Sequence, residues 1–269
     1  MNQLALYLYQ TVDDNMLETS IKTLRKHNDK VHIVLLTDGI SGSLESRLRK
    51  LYGARIINMA SMLNCRMQRK ILATCDYLKT MELYDVATIF DADLIFTGDP
   101  FNAFNEFEFD IGITLRNYFH FFPLNLGVIY YDLRKNRHGM MQFFDYICDC
   151  VTEPIQGHLK EYMRRWQHNH WGVDWWIDQD LFCILWNQKE VLVKKKFGLT
   201  MADIGMKYNL CTKRLSDKGR QAMVDAIQAG AANTYHLRGR LKDLLYDGII
   251  PEAVTVHPKP DFSDWAQKK

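Results

Sequence analysis

Two rhythms of apolar residues divide the first sixty positions of the chain. Leu4–Tyr9 is a short apolar and aromatic run with the length of a buried strand. Thr11–Asp14 then supplies turn and capping chemistry. Met16–Lys26 places Met16, Ile21 and Leu24 at helical spacing, with basic residues at its end. Val31–Leu36, rich in β-branched residues and leucine, predicts a second buried strand, closed by Thr37–Asp38–Gly39. Leu44–Leu51 returns to helical spacing and Ala54–Asn58 reads as a third strand. The order strand–helix–strand–helix–strand predicts a parallel sheet in an α/β domain.

Further on, the pattern predicts a helix over Gln68–Leu83 and a strand at Val86–Phe90. Phe109–Thr114 and Leu126–Tyr131 read as strands, and Met140–Cys150 and Trp175–Trp186 as helices. Lys218–Ala229 reads as a helix and Ala232–His236 as a short strand. The chain has 269 residues, enough for one well-buried core, and shows no internal repeat or low-complexity linker. One domain over 1–258 with a loosely held tail at 259–269 is the simplest organisation.

Composition narrows the function classes. A hydrophobic share of 47% and a charged share of 25% exclude a disordered chain. Lysine and arginine number 34 against 32 acidic residues, so no basic field calls for a nucleic-acid partner. The six cysteines lack regular spacing, and Cys148 and Cys150 stand two apart in a helical pattern, where they do not face each other. Reduced core thiols are therefore expected rather than a zinc site. No basic leader precedes Leu4, and no apolar run reaches bilayer-spanning length. A cytoplasmic protein, with at most peripheral contact at the cytosolic membrane face, is the expectation.

The sharpest chemical signal follows the Val86–Phe90 strand. Asp91–Ala92–Asp93 continues it directly, and residues two apart on a strand point the same way. Both carboxylates are thus expected on one face at the strand's C-terminal end, where open α/β sheets bind ligands. Two crowded anions raise each other's pKa unless a cation compensates. Carboxylate oxygens suit a hard divalent ion, Mn²⁺ or Mg²⁺, with diphosphate and water completing its shell. Ala92 is small enough to let the backbone approach a ribose or phosphate. A capped turn gives the same tripeptide, and phosphoryl transfer also uses an Asp pair after a strand. The latter wants a nucleophilic Asp with downstream Ser/Thr and Lys partners, which Leu94–Thr97 does not present convincingly.

Four further segments gain weight together. Arg66 and Lys70, four apart on the helix before the carboxylates, can lean towards one anion. Asn125–Leu126–Gly127 offers an amide for a sugar hydroxyl and a glycine that permits close approach. Asp178–Gln179–Asp180 follows the Trp175–Trp176 pair, so a carboxylate and an amide can hold sugar hydroxyls beside an aromatic face. His236 opens the frame H-x-x-G-x-x-K with Gly239 and Lys242, joining an imidazole for a carboxylate metal site to a cation for a diphosphate. Each segment alone also reads as an ordinary helix face, strand entry or surface position.

With these motifs in this order, the sequence resembles the family-8 glycosyltransferases, the group that includes glycogenin and bacterial lipopolysaccharide galactosyl- and glucosyltransferases. The resemblance runs from Leu4 to Lys242. It implies an α/β fold of the GT-A type, with a mixed, mostly parallel central sheet flanked by helices. It also implies transfer of a sugar from a nucleotide-sugar donor, a UDP-sugar first among them, to a glycan or to a lipid-linked or protein-linked saccharide. Asp91, Asp93 and His236 are implied as ligands of Mn²⁺ (or Mg²⁺). Gly239 and Lys242 are implied at the diphosphate, and Arg66 or Lys70 at the donor. Tyr9, Gln10 and Thr11 occupy the first-strand segment that holds the base. Asn125, Gly127, Asp178 and Gln179 are implied at the donor sugar.

Under retention of configuration, the favoured outcome, Gln179 or Asp178 lies near the anomeric carbon. Under inversion, Asp178 or Asp180 serves as general base. The aromatic and histidine-rich stretch Trp166–Trp176 is the expected acceptor side, with core packing as its alternative, and Tyr118–Phe122 reads as a flap over the donor or as buried core. A sugar nucleotidyltransferase is the competing enzyme class, but it wants a glycine-rich loop after the first strand, and Tyr9–Asn15 has no glycine. A non-catalytic carbohydrate-binding relative is the third reading, against which the complete set Asp91, Asp93 and His236 argues.

Overall fold

The computed structural model describes residues 1–9, 13–59, 66–116, 124–152, 173–211, 217–237 and 239–253. The chain opens with β1 (Gln3–Tyr9), α1 (Asp14–His27), β2 (His32–Thr37), α2 (Gly42–Tyr52) and β3 (Arg55–Asn58). It continues through α3 (Arg66–Thr80), β4 (Val86–Phe90), β5 (Leu94–Phe96), α4 (Ala103–Glu106), β6 (Ile111–Leu115) and β7 (Leu124–Asp132). Then come α5 (Arg137–Thr152), α6 (Val173–Asn187), β8 (Met201–Asp203), α7 (Asp217–Gln228) and β9 (Thr234–His236). Capping defines the first helices. The Asp13 carboxylate accepts from the amides of Asn15 and Met16 at 3.0 and 3.3 Å. Ser41 caps α2, which ends on Gly53 in the left-handed region at φ 63°.

Seven strands form one sheet in the order β3-β2-β1-β4-β7-β6-β8. β1 pairs in parallel with β2 and β4, β2 with β3, and β6 with β8. β7 lies antiparallel between β4 and β6. The sheet is mixed and mostly parallel, as expected. Its two faces follow from strand alternation. Leu4, Leu6, Ala87 and Ile89 join the cluster that includes Ile71 of α3, Phe143 of α5 and Phe182 of α6. Ala5, Tyr7, Val86 and Phe90 join the opposite cluster with Leu17 of α1 and Leu44 of α2. Burial on both faces explains why these strands read as continuous apolar runs.

A second, two-stranded sheet pairs β5 with β9 antiparallel, setting Leu94 opposite His236. It packs over a third cluster that includes Ile95, Tyr235 and Leu241. β5 and β8, three residues each, carry too little pattern to be read from the sequence. Asp91–Ala92–Asp93 does not prolong β4: the strand ends at Phe90 and the tripeptide turns into β5. The expectation of two carboxylates sharing a strand face is corrected accordingly. No described helix is long and apolar enough to cross a membrane.

Candidate metal and diphosphate site

The turn after β4 brings together what strand alternation does not. Asp91 donates its amide to the Gly127 carbonyl of the neighbouring β7 at 2.8 Å, fixing where the turn begins. Leu237 donates its amide to the Asp93 carbonyl at 2.9 Å, which pins β9 to the end of the turn. His236 Nε2 thereby lies 3.1 Å from Asp93 Oδ1 and 3.8 Å from Asp91 Oδ2. One donor atom from each of Asp91, Asp93 and His236 falls within 4.8 Å of the others. Two carboxylates and an imidazole are a donor set that suits Mn²⁺ or Mg²⁺, so the residues fit the implied ion.

Two buried lysines pair with the carboxylates, one with each. Lys70 of α3 places Nζ 2.7 Å from Asp91 Oδ1 and donates to the Leu126 carbonyl at 2.8 Å. Burial pulls its pKa down, but Asp91 and Asp178 outweigh that and hold the ammonium above its ordinary value. Lys242 Nζ lies 3.0 Å from Asp93 Oδ2. It sits in the 3₁₀ helix Gly239–Leu245, which also supplies Gly239. Just beyond that helix, the Tyr246 hydroxyl donates to Asp13 Oδ2 at 3.0 Å, tying the segment to the start of α1. Burial pushes the Asp93 carboxyl up, yet Lys242 and His236 together hold it well below the usual carboxylate range.

The imidazole rests on β7. A Cβ built on Gly127 would fall 2.6 Å from His236 Cε1, so the close approach that this glycine permits is that of the ring. Asn125 lies beside it, 1% exposed. Its Oδ1 accepts from the Gly127 amide at 3.1 Å and faces His236 Nδ1 at 3.2 Å, while its Nδ2 donates to Asn209 Oδ1 at 3.3 Å. Asn209 was not singled out in the sequence; it follows the short 3₁₀ helix Met206–Tyr208 and belongs to no periodic pattern.

Asp178 and Gln179 sit on α6, whose neighbour is α3. Asp178 is 3% exposed. Burial raises its carboxyl to about 6, with Lys70 opposing and Asp91 adding to the rise. Its Oδ1 accepts from the Gln179 amide at 2.7 Å. Gln179 Oε1 accepts from Arg116 Nη2 at 3.3 Å, which adds a buried guanidinium at the end of β6 that no motif or periodic position marks. Between Lys70 and Asp178 lies a cavity of about 10 Å³, otherwise walled by side chains such as Ile71, Ile89 and Phe182. That is about the room of one water.

The remaining expected residues divide. Tyr9 is buried in the sheet core, and its hydroxyl donates to Asp14 Oδ1 at 2.5 Å. Ala92 is half-buried against the same cluster. Asp180 is buried on α6. Gln10, Thr11, Tyr118–Phe122, Trp166–Gly172 and the tail 259–269 lie outside the described residues, as does the side chain of Arg66. Of the Arg66 and Lys70 pair, Lys70 is the one whose contact with the carboxylates is described.

No protein-family model and no curated protein sequence matches the chain. Solved structures do. The glycosyltransferase GlyE of Streptococcus pneumoniae TIGR4, in its apo form, superposes with a TM-score of 0.55 at 15% identity over 100% of this chain. The chain spans 64% of that GlyE chain. Mouse xyloside xylosyltransferase 1 gives 0.56 at 13% identity, covering 90% of this chain and 99% of that one. The galactosyltransferase LgtC, solved with donor and acceptor sugar analogs, gives 0.50 at 13% identity over 99% and 100% of the two chains. At these identities the likeness is one of architecture, and it is consistent: the chain has the GT-A fold of these glycosyltransferases.

Proposed function

We propose that the chain is a divalent-metal-dependent glycosyltransferase that takes a sugar from a nucleoside diphosphate sugar, with UDP as the nucleotide. The acceptor is a saccharide, free or linked to lipid or protein. The observation that carries the reading is the convergence of Asp91, Asp93 and His236 within 4.8 Å, flanked by Lys70 and Lys242. Mn²⁺ (or Mg²⁺) held by the three residues would supply charge compensation for the leaving diphosphate. Lys242 adds a cation that can turn from Asp93 to a phosphate oxygen, with Gly239 opening its helix. Lys70 stays with Asp91 and the Leu126 carbonyl and offsets negative charge there.

Asp178 and Gln179 are the candidate groups at the anomeric carbon. The Gln179 amide is oriented by Arg116, and a neutral amide oxygen there supports retention, in which the acceptor hydroxyl attacks from the leaving-group side. The test is thermal melting with Mn²⁺, with UDP, and with both. The pair together should raise the Tm well beyond the sum of the separate shifts. Asp93→Ala should abolish that excess, and full excess in the variant would sink the metal assignment. GDP and CDP in place of UDP identify the base, and NMR of the product anomer fixes the stereochemistry.

A further inference from the structure

Backbone groups leave no freedom about which end of an amide faces them: an N–H donates and a carbonyl accepts. Two such groups fix a chain of side-chain amides behind His236. Asn209 Nδ2 faces the Asn125 carbonyl at 3.0 Å, so that end of Asn209 is its NH₂ and the other end is its oxygen. That oxygen accepts from Asn125 Nδ2 at 3.3 Å. Asn125 then presents its own oxygen on the opposite side, where the Gly127 amide donates to it at 3.1 Å. Both assignments, one from each backbone group, agree. The atom 3.2 Å from His236 Nδ1 is therefore an acceptor, and Nδ1 must carry a proton.

From this we infer that Asn209 is a positioning residue for the metal site: through Asn125 it holds His236 in the tautomer protonated at Nδ1. In the neutral ring the lone pair then sits on Nε2, which is the nitrogen that faces Asp91 and Asp93. Asn209 is suited to the task because its segment is stitched to the strand that carries His236. Leu210 donates to the Thr234 carbonyl at 2.8 Å, and His236 donates its amide to the Leu210 carbonyl at 2.9 Å. Backbone bonds thus join the segment that carries Asn209 to the strand that carries the ring. Asn209 and Asn125 are each 1% exposed, so water does not compete for these bonds.

The inference rests on the proposed metal site, but its first test does not need a metal. Long-range ¹H–¹⁵N NMR of the metal-free protein should show a proton on His236 Nδ1, whether or not Nε2 also donates to Asp93 Oδ1 at 3.1 Å. The opposite tautomer, or an even mixture, overturns the inference whatever the protein binds. The second test is Asn209→Ala, with Mn²⁺ affinity read by electron paramagnetic resonance in the presence of UDP. Loss of an outer partner should weaken Mn²⁺ binding by about tenfold or more. It should also let the second tautomer appear in the NMR spectrum, a change that a general loosening of the fold would not produce. Asn209→Ala with wild-type Mn²⁺ affinity and a single Nδ1-protonated ring would overturn the inference. A wild-type protein with the Nδ1-protonated ring but no Mn²⁺ binding would leave the orienting role standing and remove the proposed function.

Discussion

Replacing Asp178 with asparagine separates what a buried carboxylate costs the fold from what it does in the site. The folded chain keeps the Asp178 proton up to about pH 6, whereas the unfolded chain releases it near the ordinary 3.8. Between those values the native state binds more protons than the unfolded one, so stability falls as pH rises. Above the folded value the whole cost is present. At about 1.36 kcal/mol per pH unit, it amounts to about 3 kcal/mol at pH 8 and about 1 kcal/mol at pH 4.5. Asparagine has no charge to desolvate, and its oxygen can still accept from the Gln179 amide as the carboxylate does at 2.7 Å. Urea unfolding with EDTA present should therefore find Asp178→Asn more stable than the wild type by about these amounts at the two pH values. Transfer activity should fall in the same variant, because the carboxylate is held in the site at the expense of stability. An equal gap at both pH values, or a variant less stable at pH 8, would refute the argument that burial sets this pKa.

Two other substitutions test the neighbours of the carboxylates. Lys242→Met removes the ammonium 3.0 Å from Asp93, and calorimetry should find Mn²⁺ alone bound about tenfold tighter, while UDP in the presence of Mn²⁺ binds more weakly. Unchanged or weaker Mn²⁺ affinity would show that Lys242 does not compete for the site. Gly127→Ala drives a methyl group into the His236 ring, and the backbone is held by the bond from the Asp91 amide at 2.8 Å. It should lower stability by about 1–3 kcal/mol and abolish Mn²⁺ binding. Wild-type affinity in that variant would separate the ring position from metal binding.

Much of this architecture could be read from residue order because the central strands obey simple rules. β1 and β4 are buried on both faces, so their apolar runs stand out without any partner being known. β5 is the opposite case: it is three residues long and has β9 as its only strand partner in a two-stranded sheet among the described residues. Gly127 stands out in the sequence as a place of close approach, and the folded chain shows that the His236 ring is what approaches it. Asn209 and Arg116 were out of reach altogether. Neither sits in a motif or at a periodic position, and each matters through a partner, Asn125 or Gln179, that only the folded chain brings near.

The charges around the turn also explain why metal and nucleotide should need each other. Asp91 is paired with Lys70, and Asp93 with Lys242 and His236. Asp91, Asp93 and Nε2 of His236 would hold the divalent cation of the proposed function, and the carboxylates would then be shared with both ammonium groups. Lys70 cannot withdraw, since it is also bonded to the Leu126 carbonyl and is 6% exposed. Under the proposed function Lys242 turns from Asp93 towards the diphosphate. Metal binding alone is then opposed by the charge of Lys242, and nucleotide binding alone by the carboxylates, whereas the two together satisfy every group. Linkage makes the effect reciprocal: whatever factor Mn²⁺ adds to UDP affinity, UDP must add to Mn²⁺ affinity. In Lys242→Met the same factor should shrink from both directions at once, because the group that couples the two ligands is gone.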